Sequence, residues 1–593
     1  MTTATARPGP DLRLVAAVFF VAVVILVVRT TLGRAGLPFF ADTDDAMRMV
    51  VVRDFIQGQP WYDLTAHRLN TPFGAEIHWS RLVDLPLGLL VMAFTPILGL
   101  DTAMVAAGYL WPMLLLALLL CISALLANRL VGPEGVLPAV VLPVLSPAVI
   151  AEFTPGRVDH HNVIILLTLA MLWSAVEALH RPRFAMLCGL FAATALAIAT
   201  ESLPPVAAAI AVMGLVWVAN PARAATMRAF GLSFGIAAVL YLAIFRPPAR
   251  WLEAACDVIS PFYVGIALVV GLVFTLASLL PLRAVWQRLA VLAVLGGTGL
   301  AIMVMLYPEC LKGPYGALDP WLQSHWMAGI VEAQPWLTTL TELPAYAVSV
   351  GVPALLAVLI VLIRLWRVEH QREDWAVLLV FLLATSLVML VQVRGVRLAI
   401  LPAMPAAAWL IVTARQRYLA APRIPQILGL VFSWLAFAGV VLSLLVTAVV
   451  NAVPQEAQTV AELRADKELC LVPSAFNDLA ALPPERILSP IDLGAHILLY
   501  TPHEVVSAPY HRIQQGVRDT FRFFSDPIAT ARQILTERGI GLVVLCPSMP
   551  EVAGFPDRAE DSFASLYAAG NLPDWLQDVS LPDSPLQVFA VVP

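Results

Sequence analysis

Three carboxylates stand within four residues near the start of the chain, in the segment Asp42-Thr-Asp-Asp45. Carboxylate oxygens are the ligands that hard divalent cations prefer. A solvated acidic turn gives the same pattern, because clusters of charge are usually solvated. The segment therefore predicts either a cation site at Asp44, with Asp45 as its alternate, or an exposed acidic turn.

A second group of possible ligands lies in Gly156-Arg-Val-Asp-His-His161. Asp159 and His161 are both metal-ligand types, and a short turn that contains Gly156 can direct them to one point. The alternative is purely structural. Asp159 would then cap the N-terminus of a helix that begins at Val163.

A glutamate and two arginines complete the set of reactive side chains. Glu332 stands among apolar residues, and Arg394 and Arg397 border an apolar run. An arginine at the depth of a membrane is costly unless it is paired. The alternatives are an ordinary surface glutamate and arginines that reach the lipid headgroups.

The composition places these residues in a membrane protein. Of 593 residues, 60% are hydrophobic and 13% are charged, whereas about 25% are charged in a soluble domain. This excludes a soluble enzyme and a disordered chain. A net charge of -5 gives no basic surface for nucleic acid, so we expect no such partner. Six cysteines without a Cys-x-x-Cys motif argue against a zinc site and leave any disulfide open.

Apolar runs long enough to cross a bilayer need about 20 residues. Thirteen are expected: 14–32, 103–127, 135–151, 163–179, 184–200, 205–219, 229–245, 262–280, 289–306, 344–363, 375–391, 396–413 and 426–450. The shorter run 85–98 contains Pro86 and Pro96, and we interpret it as a re-entrant or interfacial helix.

Arginine placement orients these spans. With the N-terminus inside, every short inside loop carries arginine, as the positive-inside rule requires, although Arg246 and Arg250 fall outside. The long segments 33–102, 152–162 and 307–343 then lie outside, and they are called the first, second and third loops below. We expect a multi-pass protein of the cytoplasmic (inner) membrane, with its active site on the outer, periplasmic face.

The C-terminal quarter changes character and is richer in Asp, Glu, Pro and Ser. Residues 540–545 predict a buried strand, and residues 529–536 predict a helix. The sequence therefore predicts an α-helical polytopic membrane domain, 1–450, followed by a small extracytoplasmic α/β domain, 451–593.

The four groups of reactive residues, at Asp44, at Asp159 and His161, at Glu332 and at Arg397, all fall on one predicted face of the membrane. Asp44, Asp159, His161 and Glu332 suit one cation, and Arg397 suits a phosphate. A bound metal can neutralise the charge that builds on a leaving oxygen. Beside a bilayer, this combination predicts a lipid phosphate or pyrophosphate as substrate.

These motifs resemble those of the STT3-type oligosaccharyltransferases, catalytic subunits of the GT-C class of membrane glycosyltransferases. Asp44 followed by Arg53 resembles the aspartate and arginine after that family's first span. Gly156 to His161 resembles its Gly-x-x-Asp-x-Glu pattern. Glu332-Ala-Gln-Pro335 is similar to its Glu-His-Gln-Pro stretch, and Arg397-Leu-Ala to its arginine before an apolar helix.

The resemblance covers roughly 1–450, and the order and sidedness of the motifs carry it. It implies a GT-C-like fold of thirteen spans with an outside C-terminal domain. It also implies a Mn or Mg ion and the diphosphate of a polyprenyl-linked glycan. Asp44, Asp159 and Glu332 would hold the metal, and Arg397, with Arg394 beside it, would hold the diphosphate. Asp44 and Glu332 would also face the acceptor, and the sugar would be transferred with inversion.

The chain departs from this family at two places. His161 stands where the family has a carboxylate, which favours Mn over Mg or means that this position no longer binds metal. The family's Trp-Trp-Asp signature, which reads the acceptor sequon, is replaced by Ser489-Pro-Ile-Asp492-Leu-Gly494. Asp492 and Gly494 fit that signature and the tryptophans are absent, which argues against asparagine-linked protein glycosylation.

A different acceptor site is one interpretation of Tyr510, His511 and Arg512, which stand together in the outside domain. The other is a loop with a capping histidine. Asp492 belongs to the same possible acceptor region.

The resulting hypothesis is a metal-dependent inverting glycosyltransferase. Its partners would be a polyprenyl phosphate- or diphosphate-linked sugar donor, membrane lipids, and a glycan, lipid or protein acceptor. Two rivals remain. One is a transporter or flippase for a lipid-linked or anionic solute, which predicts broken or charged helices at the bilayer midplane. The other is a non-catalytic membrane scaffold.

Overall fold

Apolar helices dominate the chain. The computed structural model describes residues 9–33, 35–367, 370–451, 467–553, 558–582 and 584–592. Within these residues, 11 helices are long and apolar enough to cross a membrane, or up to 13 if each of two bent pairs is one span. The predicted α-helical polytopic fold is therefore confirmed.

Nineteen helices precede residue 452 in the described part of the chain. They are α1 (Leu12–Thr31), α2 (Thr43–Ile56), α3 (Arg81–Leu98), α4 (Leu100–Leu130), α5 (Val136–Val144), α6 (Pro147–Phe153), α7 (His161–Ala178), α8 (Arg183–Ile198), α9 (Leu203–Ala219), α10 (Ala224–Phe245), α11 (Pro261–Leu279), α12 (Val285–Leu306), α13 (Pro320–His325), α14 (Trp336–Glu342), α15 (Pro344–Arg367), α16 (Arg372–Val391), α17 (Val396–Ala420), α18 (Ile424–Leu435) and α19 (Gly439–Asn451).

The helix α3 has the length of a span, but its surroundings keep both of its ends on one side. Its 18 residues rise about 27 Å at about 1.5 Å per residue. Its first turn contacts Arg48, which also binds Asp159 of the second loop. Gly108 of α4 bonds Gly156 of that same loop. Since α4 rises only about 12 Å between Leu100 and Gly108, α3 does not cross, in agreement with the re-entrant or interfacial interpretation.

The short helix α8 does cross, although it has only 16 residues. His161 begins α7 and Glu201 follows α8, and their side chains are in hydrogen-bond contact. The helices α7 and α8 therefore form an antiparallel pair that leaves the site and returns to it. Counting α8 and omitting α3 gives the thirteen predicted spans within the described residues.

Two of these spans are broken. Helices α5 and α6 bend by 69°, and α18 and α19 bend by 94°. The breaks meet each other, because the Val440 N–H donates to the Leu145 carbonyl at 2.8 Å. Gly439 allows this approach, since a Cβ there would lie 2.8 Å from the Ser349 carbonyl oxygen.

The central helix of the bundle is α17. In the segment Val393–Ala420, 83% of the spanning window is buried, against 6% in Val285–Leu306 at the periphery. Its N-terminus carries Arg397, so that guanidinium is held by the best-packed helix of the protein.

Strands are few. An antiparallel pair, β1 (Thr65–Ala66) and β2 (Ala75–Glu76), lies between α2 and α3. After residue 466 five strands form one sheet in the order β4-β3-β5-β7-β6. They are β3 (Arg486–Leu488), β4 (Glu504–Val505), β5 (Leu542–Leu545), β6 (Leu576–Asp578) and β7 (Gln587–Val591). The first three in the sheet order run parallel, and β7 pairs antiparallel with β5 and β6.

Helices cover this sheet, which makes the C-terminal region α/β, as predicted. They are Asn477–Ala480, Ile491–Tyr500, Gln514–Ser525, Ile528–Arg538, Pro550–Ala553 and Phe563–Ala568. A cluster of buried rings, Phe523, Phe524 and Phe563, packs with the strands. The predicted boundary at 450/451 coincides with the end of α19, and residues 452–466 lie outside the described residues. The division into two domains stays a prediction.

The C-terminal region is docked on the end of the bundle that carries the first two loops. Arg53 of α2 donates to the carbonyls of Leu499 and Leu498 at 2.9 and 3.0 Å. The Nε2 atom of His496 lies 2.8 Å from the Phe40 carbonyl. Disulfides join Cys256 to Cys310 and Cys470 to Cys546, which settles the pairing that the sequence left open.

Candidate functional site

The acidic segment of the first loop starts a helix. Asp42 caps α2, because its carboxylate accepts from the Asp44 N–H at 3.0 Å. Cap residues of this type satisfy backbone donors that the helix itself cannot. The first turn then carries Asp44 and Asp45 with their carboxylates in different surroundings.

Asp45 organises the second loop. Its Oδ1 accepts from the backbone N–H groups of Val158 and Asp159 at 2.7 and 2.9 Å. Its Oδ2 lies 2.7 Å from Nη1 of Arg157. The residue is 1% exposed, and both of its carboxylate oxygens have partners within the protein. Asp44, in contrast, faces a cavity.

Gly156 allows the second loop to lie against the first. Its φ is +95°, and a Cβ would lie 2.2 Å from the Phe39 carbonyl oxygen. Its N–H donates to the Gly108 carbonyl at 3.0 Å. Any side chain at this position would push Asp159 away from Asp44.

Asp159 has one saturated oxygen and one without a hydrogen bond. Its Oδ1 lies 2.6 Å from Nδ1 of His160 and 3.3 Å from Nη2 of Arg48. Its Oδ2 is buried and has no hydrogen-bond partner within the described part of the chain. That oxygen lies 3.3 Å from Nε2 of His161. The capping alternative for Asp159 is wrong, because α7 begins at His161 and has no side-chain cap.

The sequence analysis missed Glu201. This residue lies in the turn Thr200–Ser202 between α8 and α9, and its Oε1 is 2.9 Å from Nδ1 of His161. The available signal was an acidic residue at the end of an otherwise apolar run, which is costly unless it has a partner.

A buried arginine network supports Asp159 from behind. Arg48 is fully buried, and its Nη1 lies 2.6 Å from Oδ1 of Asp84. Its guanidinium stacks over Trp79 at 4.1 Å from the ring centroid. Arg81 pairs with the same aspartate at 3.3 Å. Buried charges that are paired in this way hold a fixed geometry, since breaking one pair leaves the other charge uncompensated.

Arg397 joins two glutamates. Its Nη2 lies 2.6 Å from Oε2 of Glu332, and its Nε lies 2.9 Å from Oε1 of Glu152. Its Nη1 is buried and without a hydrogen-bond partner among the described residues. Glu152, which the sequence analysis also missed, is buried and bonds Arg157 at 3.0 Å. One guanidinium nitrogen therefore remains for an anion.

Arg394 is placed less tightly. Its Nε donates to Oε1 of Gln392 at 3.0 Å, and its guanidinium lies 5.6 Å from the centroid of the Tyr315 ring. The side chain lines the same cavity as Arg397.

These elements enclose a cavity of about 370 Å³. The predicted residues on its wall are Asp44, His161, Glu332, Arg394, Arg397, Tyr510 and His511. Asp159 lies behind His160 and His161, in contact with both.

The pKa of Asp44 is raised well above its ordinary value. Burial is the main cause, and the carboxylates of Asp159 and Asp42 add to it. Asp159 behaves in the opposite way. Burial alone would raise its pKa, but His160, His161 and Arg48 hold the pKa well below its ordinary value. Asp159 is thus stably ionised beside Asp44, whose surroundings favour the protonated carboxyl.

The predicted acceptor residues fall in two places. The Tyr510 hydroxyl donates to the Thr43 carbonyl at 3.1 Å, next to Asp44. His511 and Arg512 both bind the carboxylate of Asp257, and Arg512 also pairs with Glu76 at 3.4 Å. Asp492 is elsewhere. It pairs with Lys467 and is not among the residues that line the cavity.

The donor set fits a divalent cation. Oδ2 of Asp159 has no hydrogen bond within the described residues and faces Nε2 of His161 at 3.3 Å. These two atoms and the carboxylate of Asp44 combine oxygen and imidazole ligands, which Mn²⁺ accepts. Asp159, His160 and His161 place ligand atoms within 4.8 Å of one another. Glu332, the fourth predicted ligand, is bound to Arg397 in this structure.

No family model and no curated protein sequence matches the chain. Its fold is similar to that of the archaeal oligosaccharyltransferase AglB from Archaeoglobus fulgidus, solved with an inhibitory peptide and a dolichol-phosphate. The TM-score is 0.70 at 15% identity, over 97% of this chain and 74% of that one. An Archaeoglobus fulgidus oligosaccharyltransferase solved with Zn and sulfate gives a TM-score of 0.59 at 14% identity, over 97% and 73% of the two chains.

ArnT from Cupriavidus metallidurans, bound to undecaprenyl phosphate, is more distant. Its TM-score is 0.43 at 12% identity, over 98% of this chain and 97% of that one, which is too weak a likeness to support an inference. Identities this low establish the fold alone. The chain has the fold of the GT-C membrane glycosyltransferases, so the resemblance drawn from its motifs is confirmed at that level.

Proposed function

We propose that this protein is an inverting glycosyltransferase that takes a sugar or oligosaccharide from a polyprenyl phosphate or diphosphate carrier. One observation carries the proposal. A single cavity is lined by His161, which pairs with the Asp159 carboxylate behind it at 3.3 Å, and by Arg397, whose Nη1 has no hydrogen-bond partner among the described residues. An oxygen-and-imidazole site beside a free guanidinium is suited to a metal-bound phosphate.

The proposed metal ligands are Asp44, Asp159 and His161, with Glu332 able to join them if it leaves Arg397. The cation is Mn or Mg, and the imidazole ligand favours Mn. When bound, the metal would neutralise negative charge on the leaving phosphate. Glu201 accepts from Nδ1–H of His161, so that Nε2 is the nitrogen that would hold the cation after it releases its own proton.

Arg397 binds the phosphate of the carrier in this proposal, and Arg394 adds a second positive charge from the same wall. Arg397 is rigidly held by Glu152 and Glu332, so little side-chain freedom remains to be lost on binding. A guanidinium that is already positioned where charge develops stabilises a transition state most effectively. The dolichol-phosphate in the AglB structure supports a lipid-phosphate ligand for this fold.

Asp44 and Glu332 face the cavity and align the acceptor. The acceptor oxygen or nitrogen forms a bond to the anomeric carbon and gives its proton to the carboxylate of Asp44 or Glu332, and the bond from that carbon to the carrier oxygen breaks on the opposite face. The electron pair remains on the lipid phosphate or diphosphate, and the configuration at the anomeric carbon inverts. The acceptor is a glycan, a lipid or a protein.

We further propose that the protein lies in the cytoplasmic (inner) membrane, with this cavity on its outer, periplasmic face. The arginines of the short predicted inside loops, such as Arg181 and Arg183, support this orientation. The two disulfides support it as well, because both lie in segments predicted to be outside, where the compartment is oxidising.

The transporter hypothesis receives less support. Two spans are broken, as this hypothesis predicts, but a transport path also requires binding groups near the bilayer midplane, between repeated halves. Asp159 Oδ2 and Arg397 Nη1, which lack a hydrogen bond within the described residues, lie at the end of the bundle where the C-terminal region is docked, and uncharged hydroxyls without one, such as those of Thr168 and Ser386, lie within the spans. The scaffold hypothesis leaves their burial without a purpose, since a buried polar group without a partner costs about 1–3 kcal/mol.

The test is transfer from a lipid-linked glycan pool by the purified protein, with Mn²⁺, with Mg²⁺ and with chelator. We expect metal-dependent release of lipid phosphate or diphosphate, which Asp159→Ala and Glu332→Ala abolish without reducing expression. Full activity in either variant would overturn the site assignment. Absence of turnover with every donor, in a folded protein that binds the lipid, would favour the transporter or the scaffold.

A further inference from the structure

A second group of polar side chains lines the cavity away from the proposed metal site. His78 follows β2, Asp257 lies between α10 and α11, and His511 belongs to the C-terminal region. Their ligand atoms lie within 4.8 Å of one another. Three distant parts of the sequence thus converge on one point of the wall.

Both carboxylate oxygens of Asp257 are held by hydrogen bonds. Its carboxylate accepts from Nε and Nη2 of Arg512 at 2.7 and 2.8 Å, and Oδ2 lies 2.8 Å from Nε2 of His511. The neighbouring Cys256 is joined to Cys310. Burial raises the pKa of Asp257, but its bonds to Arg512 and His511 outweigh burial and hold the pKa far below its ordinary value. This aspartate therefore acts as a permanent acceptor.

The contact with Asp257 decides which nitrogen of His511 carries the proton. A carboxylate accepts from N–H, so Nε2 is protonated and Nδ1 is left with a lone pair. The ring nitrogens of His78 have no hydrogen-bond partner in the part of the chain that the structure describes. The two rings lie 4.7 Å apart between centroids. Burial holds the pKa of His78 well below its ordinary value, so His78 is neutral.

Charges around these two imidazoles are balanced. Arg512 neutralises Asp257, and Arg246 and Arg250 pair with Glu76. A second metal ion is therefore disfavoured, because Arg512 already occupies the one carboxylate that it would need. Arg394, whose guanidinium lies 5.6 Å from the centroid of the Tyr315 ring, is assigned above to the carrier phosphate, and the other charges beside these imidazoles are paired with one another within the described residues.

Aromatic rings complete the wall. Tyr315 meets His511 edge to face, with centroids 5.1 Å apart, and Trp326 lines the cavity as well. Apolar rings with a few placed polar groups are typical of sites for small uncharged ligands. Trp79 connects this end to the metal end, since its ring lies 5.6 Å from Tyr510 and 6.5 Å from His160.

We propose that His78 and His511 form an acceptor subsite that hydrogen-bonds the hydroxyl groups of an uncharged saccharide. Nδ1 of His511 accepts from one hydroxyl, and His78 contacts a second. The proposal rests on the proposed function, because the saccharide is the acceptor only if transfer takes place in the same cavity. If it is correct, the acceptor is a glycan and not the peptide that a sequon-reading pocket would bind.

The experiment is saturation-transfer difference NMR on the full-length protein in nanodiscs with Mg²⁺. The probes are the methyl glycosides of glucose, mannose, galactose and N-acetylglucosamine, and a peptide with the sequence Asn-Val-Thr. The variants are His78→Gln and His511→Gln. The matched control is His67→Gln, because His67 lies in the same first loop, is 69% exposed and pairs with Asp63 alone among the residues that the structure describes.

We expect saturation transfer to at least one glycoside and about tenfold weaker binding in the His78 and His511 variants, the size of one hydrogen bond. His67→Gln should bind as the wild type does. The proposal is overturned if no glycoside receives saturation, if the peptide alone does, or if the His511 variant loses a second equivalent of bound Mn²⁺. Failure of the proposed function is distinct, since Asp159→Asn would then leave Mn²⁺ binding unchanged.

Discussion

The imidazole of His161 and the carboxylate of Glu201 stand on different helices, and Nδ1 of the first lies 2.9 Å from Oε1 of the second. Nε2 faces Asp159 at 3.3 Å. Burial lowers the pKa of His161, but Glu201 and Asp159 raise it to about 10, so the metal-free ring carries a proton on both nitrogens and would release the one on Nε2 when a cation binds. A carboxylate that orients a metal-binding histidine in this way also raises the basicity of the ligand. Glu201 therefore belongs to the site although it does not face the proposed cation directly.

Replacing Glu201 by Gln should weaken Mn²⁺ binding by about 10- to 100-fold. The amide can donate to Nδ1, which moves the ring proton to Nε2, the nitrogen proposed to bind the metal. Mn²⁺ titration followed by electron paramagnetic resonance measures the affinity. Glu177→Gln is the matched control, because Glu177 lies at the far end of α7 and pairs with Arg129. Equal affinity in both variants would remove Glu201 from the site.

Replacing Asp44 or Asp45 by Asn should change the thermal stability of the protein in opposite directions. Asp44→Asn relieves repulsion from Asp159 and Asp42, so the metal-free protein should melt at a higher temperature and lose its stabilisation by Mn²⁺. Asp45→Asn breaks a buried contact with Arg157 and should destabilise the protein by about 3 kcal/mol or more. Thermal melts with and without Mn²⁺ distinguish the two. The reverse pattern would make Asp45 the ligand.

Arg397→Lys should not preserve function. An ammonium group cannot contact Glu332, Glu152 and a phosphate with the geometry of a guanidinium. We expect kcat/KM for the lipid-linked donor to fall by about 10²- to 10³-fold. The control is Arg415→Lys, since Arg415 is half exposed and pairs with Glu134 at 3.6 Å. A wild-type value in Arg397→Lys would show that the phosphate binds elsewhere.

Stability should depend on pH through Glu551. Burial, with Asp492 beside it, raises the pKa of this carboxyl from 4.5 to about 7. Between these values the folded protein holds a proton that the unfolded chain has released. The free energy of unfolding therefore falls as pH rises from about 4.5 to about 7, by up to about 3 kcal/mol, and is level above that range.

Glu551→Gln removes this group and should flatten the corresponding part of the curve. Apparent melting temperatures of the wild type and the variant, recorded from pH 4.5 to pH 8, give the difference. We expect the wild type to lose stability relative to the variant across that window. A constant difference at all pH values would contradict a raised pKa.

The sequence contains most of the information about the bundle. Runs of apolar residues and arginine-bearing loops predict the thirteen spans, because a bilayer leaves the backbone few alternatives to helices. Length alone misjudges two helices. The 16-residue α8 crosses and the 18-residue α3 does not, and only their contacts at Glu201 and Arg48 show this.

The site was partly predictable. Asp44, His161, Glu332 and Arg397 could be proposed because each breaks an apolar or loop pattern with a reactive group. The partners of these residues could not, since Glu152 and Glu201 are distant in sequence and look like isolated charges. The choice between Asp44 and Asp45 also required the structure, because it depends on which carboxylate meets the backbone of the second loop.

Pulsed electron paramagnetic resonance of bound Mn²⁺ tests the central claim most directly, because it reports the nuclei around the metal. The spectrum should show nitrogen coupling that His161→Gln removes. It should gain phosphorus coupling when undecaprenyl diphosphate is added, and Arg397→Lys should weaken that second signal. Bound Mn²⁺ with neither nitrogen nor phosphorus coupling would contradict a metal site formed by Asp159 and His161 beside a lipid phosphate.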